Sequence, residues 1–165
     1  AIARLALSFY KGKPLQAFID EAPELYDRWL KPNLCPVVLD RVEDHRRRGH
    51  LLVILSASVD YLMEIAAGDL GFDQVLCTRI EVDDHGMGTG RSAGPICIGP
   101  GKAAAARDLA RELGIDLAAS FAYGDHHSDR FMLAAVGHPI VVRPTGRLRI
   151  LAGRRQWPIL ETPAR

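Results

Sequence analysis

The stretch Tyr123-Gly124-Asp125-His126-His127-Ser128-Asp129 sets two carboxylates four positions apart, where an apolar run gives way to a helical pattern. Ala118-Ala119-Ser120-Phe121-Ala122 reads as a short buried strand, and Gly124 allows a sharp turn at its end. Asp125 then stands at the carboxyl end of a strand, with Asp129 expected one helical turn further on the same face. Open α/β sheets build their ligand sites along that edge. Two close carboxylates repel unless a cation or a shared proton offsets them, which suggests that Asp125 and Asp129 serve a hard metal such as Mg²⁺. The plainer alternative is an aspartate helix cap with a solvated carboxylate one turn away.

Two other places carry candidate chemistry. Ser56-Ala57-Ser58 follows the apolar run Leu51 to Leu55 and precedes a helical pattern. A hydroxyl there can hold an oxyanion together with the backbone amides around it. Ser58 could instead cap the helix expected over 59–70. Lys102 follows Gly99-Pro100-Gly101 in the first turn of a helix. A cation opposes the helix dipole at that end, so an anionic substrate or a charged nucleophile is expected to want it. A nucleotide P-loop is excluded, because G-x-x-x-x-G-K-[ST] needs glycine where Ile96 stands and a hydroxyl where Ala103 stands. His126 and His127 are neighbours whose side chains diverge, which argues against a shared zinc and leaves a substrate contact for one of them.

The elements that must position these residues follow from periodicity. Ile2 to about Trp29 is helical in pattern, broken by Gly12-Lys13-Pro14 and Pro23, and reads as two or three short helices fit to pack as a cap. Val37 to Arg48 is an amphipathic helix stopped by Gly49, and Leu51 to Leu55 is a strand buried on both faces. A helix over Tyr61–Leu70, a strand over Val75–Ile80 and a polar hairpin from Asp83 to Gly90 come next. A short strand is expected at Ile96-Cys97-Ile98, then a helix from Lys102 to Leu113 closed by Gly114. After the strand at 118–123, a helix runs from Asp129 through Phe131-Met132-Leu133 and Ala134-Ala135-Val136. A strand over Pro139–Val142 and a helix over 146–155 complete the chain. Strands alternating with helices predict an α/β fold with a mostly parallel sheet.

Composition narrows the classes. The 165 residues suffice for one domain with a real core, and 48% apolar with 25% charged residues is ordinary globular composition. A net charge of +1 gives no case for nucleic acid or an anionic membrane. Arg46-Arg47-Arg48 and Arg154-Arg155 sit near helix ends, where cations favour the dipole. No apolar run reaches the ~18–20 residues of a membrane span, and no signal peptide is apparent. Cys35, Cys77 and Cys97 are widely spaced and odd in number, as expected of reduced thiols in a cytoplasmic protein.

The order strand-Ser, Gly-Lys-helix, strand-Gly-Asp-x-x-x-Asp resembles the haloacid-dehalogenase-like phosphatases, specifically their phosphoserine-phosphatase-like branch. The likeness covers almost the whole chain. Ser56 falls on that family's second motif, Lys102 on its third, and Asp125 with Asp129 on its fourth. Ile80-Glu81, Asp83-Asp84-His85-Gly86 and Thr89-Gly90 look like its glutamate and Thr-Gly hairpin. Val136 to Val142, then Arg147-Leu148-Arg149 and Trp157-Pro158, is similar to a bacterial subgroup of small phosphatases. The resemblance implies a Rossmann-like parallel sheet flanked by helices with a small helical cap, the cap over 1–35 and the core over 36–165. It implies a Mg²⁺-dependent phosphomonoester hydrolase of small phosphorylated metabolites, phosphoserine or histidinol phosphate being examples, working through an aspartyl-phosphate. Ser56, with Ala57 and Ser58, would hold phosphate oxygens; Lys102 would offset the charge of the transition state. Asp125 would ligate the metal, with Asp129 in support.

The sequence departs from this family at one point. The first motif, D-x-D-x-[TV], does not occur: Asp20, Asp27, Asp40 and Asp44 precede Ser56, all in helical patterns and none in that spacing. Ala1 would fall in the cap, so the expectation is an amino-terminal truncation that removes a strand near the sheet centre, the nucleophile and the acid/base. Two rivals stand beside the phosphatase. One is a catalytically inactive fragment or binding module; the other is a phosphotransferase or dehalogenase on the same scaffold. The cap has no obvious basic pair for a substrate carboxylate beyond Arg4, Lys11 and Lys13.

Overall fold

The computed structural model describes residues 2–161, with side chains from Leu5 onward. Ala1, the side chain of Arg4 and residues 162–165 therefore lie outside the described residues. The chain groups into two compact units, Ala1–Cys97 and Ile98–Arg165.

The first unit opens with α1 (Ile2–Ser8) and α2 (Leu15–Leu25), which widens into a π turn over Tyr26–Leu30 and tightens again at Lys31–Asn33. Pro23 lies inside α2 and supplies no amide donor, and Tyr26 N–H divides its bond between Ala22 O and Pro23 O. α3 (Pro36–Arg47) starts on a proline, whose preset φ suits a first turn, and Gly49 follows it at φ 71°. β1 (Val53–Val59) and β2 (Gln74–Thr78) pair in parallel across α4 (Asp60–Leu70), which Gly71 ends in a left-handed conformation. β3 (Ile80–Val82) and β4 (Gly88–Ser92) form an antiparallel hairpin. Ala22 and Tyr26 bury against Leu62, Met63 and Ala66 of α4. The hairpin also grips the chain between α1 and α2: Gly12 N–H donates to Gly88 O and Gly88 N–H to Lys13 O, both at 2.8 Å. A Cβ at Gly88 would lie 2.4 Å from Tyr10 O, so this approach needs glycine.

The second unit holds α5 (Pro100–Leu113), β5 (Phe121–Gly124), α6 (Arg130–Leu133), β6 (His138–Val142), α7 (Gly146–Arg155) and β7 (Ile159–Leu160). Its sheet runs β5-β6-β7, all parallel. Leu133, Val141, Leu148 and Ala152 are fully buried and form its centre. Among the described residues, no helix is long and apolar enough to cross a membrane.

The parallel α/β class matches expectation, while several elements differ for local reasons. β1 starts at Val53 and runs on to Val59, and Val53 to Leu55 are half-buried rather than covered on both faces. Among the described residues β1 pairs with β2 alone, which leaves its other edge open. Ile96-Cys97-Ile98 is no strand: Cys97 N–H donates to Thr78 Oγ1 at 3.1 Å, and the thiol donates to Leu76 O. The helix expected through Val136 ends at Leu133, because Gly137 must pass tightly against Ala118, where a Cβ would come within 1.8 Å of the carbonyl oxygen. β7 is an addition, a two-residue strand hidden behind Trp157-Pro158 and joined to β6 through Val141 N–H to Pro158 O.

Candidate active site

β5 delivers Asp125 one residue past its carboxyl end. The chain then makes a 3₁₀ turn over His127–Asp129 rather than entering an α-helix directly. This folds Asp129 back beneath Gly124, where a Cβ would sit 2.8 Å from the Asp129 Cβ. The glycine is therefore demanded by the aspartate that follows it. Asp129 is buried and Asp125 exposed, so the two carboxylates occupy different surroundings instead of one shared face.

Both oxygens of Asp129 are engaged. Oδ1 accepts from Lys102 Nζ at 2.7 Å, and Oδ2 accepts from His126 N–H at 3.1 Å. The side chains of Lys102 and Asp129 are 12% and 6% exposed, so this is a charged pair largely withdrawn from water. It explains a lysine in the first turn of α5, where the helix dipole alone would disfavour it. His126 Nδ1 accepts from Ser128 N–H at 3.2 Å, completing a reciprocal capping box with Asp129. That role was missed because histidine is not a usual capping residue; the three-residue spacing from His126 to Asp129 was the available signal.

Asp125 is exposed, and its carboxylate makes no hydrogen bond or ion pair among the described residues. A hard divalent cation takes one or two protein carboxylates and completes its shell with water and phosphate, so Asp125 fits such an ion as an oxygen donor. Among the described residues no group of three or more His, Cys, Asp or Glu side chains could hold a metal by itself. Asp129 suits the ion less directly, since both of its oxygens already accept hydrogen bonds.

Ser56, Ala57 and Ser58 belong to the first unit. The register of β1 on β2 slips between Leu55 and Val59, a bulge that falls on these three residues. Ser56 Oγ accepts from Ser58 N–H at 3.1 Å, which leaves the Ser56 hydroxyl proton free to donate. Val59 takes the N-cap position of α4 without a side-chain bond, so Ser58 is not the cap. Ala57 is exposed.

The acidic hairpin is occupied with its own structure. Glu81 accepts from Thr89 Oγ1 and from Arg91 Nε, and these bonds hold its carboxyl below the ordinary range, Thr89 contributing most. Asp83 accepts from His85 N–H and Met87 N–H at 2.9 Å each, which lowers its carboxyl likewise. Of the cap cations, Lys13 lies over the Phe9 ring at 3.3 Å, whereas Lys11 is exposed.

Residues 1–134 match the family model for haloacid dehalogenase-like hydrolases. The chain belongs to this family. Among curated relatives, it is 36% identical to the "Inhibition of morphological differentiation protein" of Streptomyces azureus, over 87% of this chain and 53% of that protein. It is 33% identical to phosphoserine phosphatase SerB1 of Mycobacterium tuberculosis, over 94% of this chain and 50% of the relative. The chain thus spans about half the length of these relatives. A crystal structure of a protein of unknown function from Bordetella pertussis Tohama I shares the fold with a TM-score of 0.86 and 25% identity, covering 96% of this chain and 72% of that one. As a haloacid dehalogenase-like hydrolase, the chain has phosphatases among its relatives.

Proposed function

We propose that this chain carries the phosphate- and metal-handling part of a Mg²⁺-dependent phosphomonoesterase that acts on small phosphorylated metabolites in the cytoplasm, phosphoserine or histidinol phosphate being the type. The observation that carries the reading is the buried Lys102–Asp129 pair, held by the turn that presents Asp125 at the carboxyl end of β5. In this mechanism Asp125 holds Mg²⁺, which when bound supplies charge compensation to the phosphoryl group. Asp129 fixes the position of Lys102. The Lys102 ammonium offsets charge that builds on the phosphoryl oxygens, and the likeness of Ser56 to the family's second motif assigns Ser56, with Ala57 and Ser58, to hold phosphate oxygens. Phosphoryl transfer depends mostly on such placement of charge. The nucleophile in this reading is an aspartate of a D-x-D pair, and no D-x-D occurs in these 165 residues.

That absence favours one second reading, a non-catalytic domain that binds phosphate or a partner. Hydrolysis of p-nitrophenyl phosphate with and without Mg²⁺ separates the two. The 165-residue chain is expected to give no turnover, and a chain in which a strand ending in D-x-D is joined to it is expected to turn over only with the metal. Turnover by the chain itself would overturn the aspartyl mechanism. Inactivity of the D-x-D-bearing chain would leave the binding domain.

A further inference from the structure

His126 and His127 stand side by side in the loop that presents Asp125, and the fold treats them differently. His127 is half-buried, with its Nδ1 out of reach of water. His126 is exposed, yet it is tied to the 3₁₀ turn through both its backbone and its ring. Its N–H donates to Asp129 Oδ2 at 3.1 Å, and its Nδ1 accepts from Ser128 N–H at 3.2 Å. Ser128 Oγ lies 2.9 Å from the same nitrogen. A backbone amide can only donate, so Nδ1 meets it with a lone pair and carries no proton. In a neutral imidazole the proton is then on Nε2. The turn thus selects one tautomer and leaves an N–H donor on the far edge of the ring, away from the Ser128 contact. Among the described residues no hydrogen bond reaches that Nε2. A ring held this way has no lone pair to offer a metal. It offers a donor, beside the carboxylate of Asp125.

Capping alone does not call for histidine. Ser, Asn and Asp accept from the same amide with fewer atoms and are the residues that caps prefer. What the imidazole adds at this position is the Nε2–H. We propose that His126 is a substrate-contacting residue, whose Nε2–H donates to an oxygen of the phosphomonoester bound at Asp125 and Lys102. The accepting oxygen belongs to the phosphoryl group or to the leaving group, and the chemistry of the contact is the same for both. This inference rests on the phosphatase reading above for the identity of its ligand, while the fixed tautomer does not. The two cationic and neutral donors divide the work. Lys102 supplies a point charge with little directional demand. His126 supplies a directed donor whose tautomer is set before the ligand arrives, which lowers the ordering cost of binding.

The test has two arms. In the first, the side-chain ¹⁵N resonances of His126 are recorded by NMR on the 165-residue chain at mildly alkaline pH, where an imidazole is neutral. The Nε2–H tautomer is expected. An Nδ1–H tautomer, or an even mixture of the two, would overturn the proposal. In the second arm, the D-x-D-bearing chain hydrolyses phosphoserine and phenyl phosphate at the same pH, as parent, His126→Asn and His126→Ser. Both variants keep an acceptor for Ser128 N–H and lose the far donor of the ring. KM for phosphoserine is expected to rise about fivefold in each, with kcat nearly unchanged and the urea midpoint that of the parent. A rise for both substrates assigns the donor to the phosphoryl group, and a rise for phosphoserine alone assigns it to the leaving group. Unchanged KM values for both, or a rise that comes with a fall in the urea midpoint, would overturn the contact. If the parent D-x-D-bearing chain cleaves neither compound, the phosphatase reading fails and the substrate contact falls with it, while the first arm still decides whether the turn fixes the donor.

Discussion

Lys102 and Asp129 meet in a setting where one charge without the other is costly. Removing a single member of a pair this withdrawn from water leaves an uncompensated buried charge, at a cost of ~3–5 kcal/mol. Lys102→Ala is therefore expected to lower the urea midpoint strongly. Lys102→Met combined with Asp129→Asn should recover much of the loss, since asparagine still accepts from His126 N–H. Equal loss in the single and double variants would contradict this account. Gly124 offers a second residue-level check. Gly124→Ala forces a Cβ against Asp129 and should cost ~1–3 kcal/mol in thermal unfolding by overpacking. These residues were legible in the sequence as a motif. Their division of labour was not, because nothing in Gly-Asp-x-x-x-Asp says that the second carboxylate spends both oxygens on Lys102 and a backbone amide.

Elements show where local chemistry overrode periodicity. The end of α3 is fastened by His45, which is buried and shares its Nδ1 with His50 Nδ1 across 2.9 Å. Such a contact needs a bare lone pair on one ring. Burial lowers the His45 basicity, and His50 with Arg48 lowers it further, Asp44 opposing. The folded ring thus takes its proton at lower pH than the unfolded one. Its contribution is present above the unfolded value near ~6.5 and is lost as pH falls through the folded value. His127 shifts in the same direction, so both rings steepen the acid side. Urea midpoints at successive pH values should fall on acidification below neutrality, with a shallower decline in His45→Leu; an equal slope would remove the role given to His45. The helix boundaries around this site were readable from Pro36 and Gly49, whereas the His45–His50 contact was hidden within an arginine-rich run.

At the scale of the whole molecule, the prediction concerns ligand linkage. A cation that binds the folded chain alone stabilises it by RT ln(1 + [L]/Kd), ~2.7 kcal/mol at a hundredfold excess over Kd. Mg²⁺ is expected to raise the melting temperature of this chain, and Asp125→Asn to abolish the rise. A flat response in the parent chain would remove Asp125 as a metal donor. The α/β class was readable because β-branched runs alternate with amphipathic helices, and these patterns are one-dimensional properties of burial. The same holds for the helix ends at Gly49, Gly71 and Gly114, since a left-handed residue is demanded locally. Lys102 and Asp129, which meet in the fold, were singled out in the sequence by type and order. Tertiary structure decided the rest through close approach: α6 stops where Gly137 passes Ala118, and Cys97 joins Thr78 instead of a ladder. It also buried Asp129 while leaving Asp125 exposed. Those outcomes depend on which segments meet across the sheet, a property of packing that no local spacing encodes.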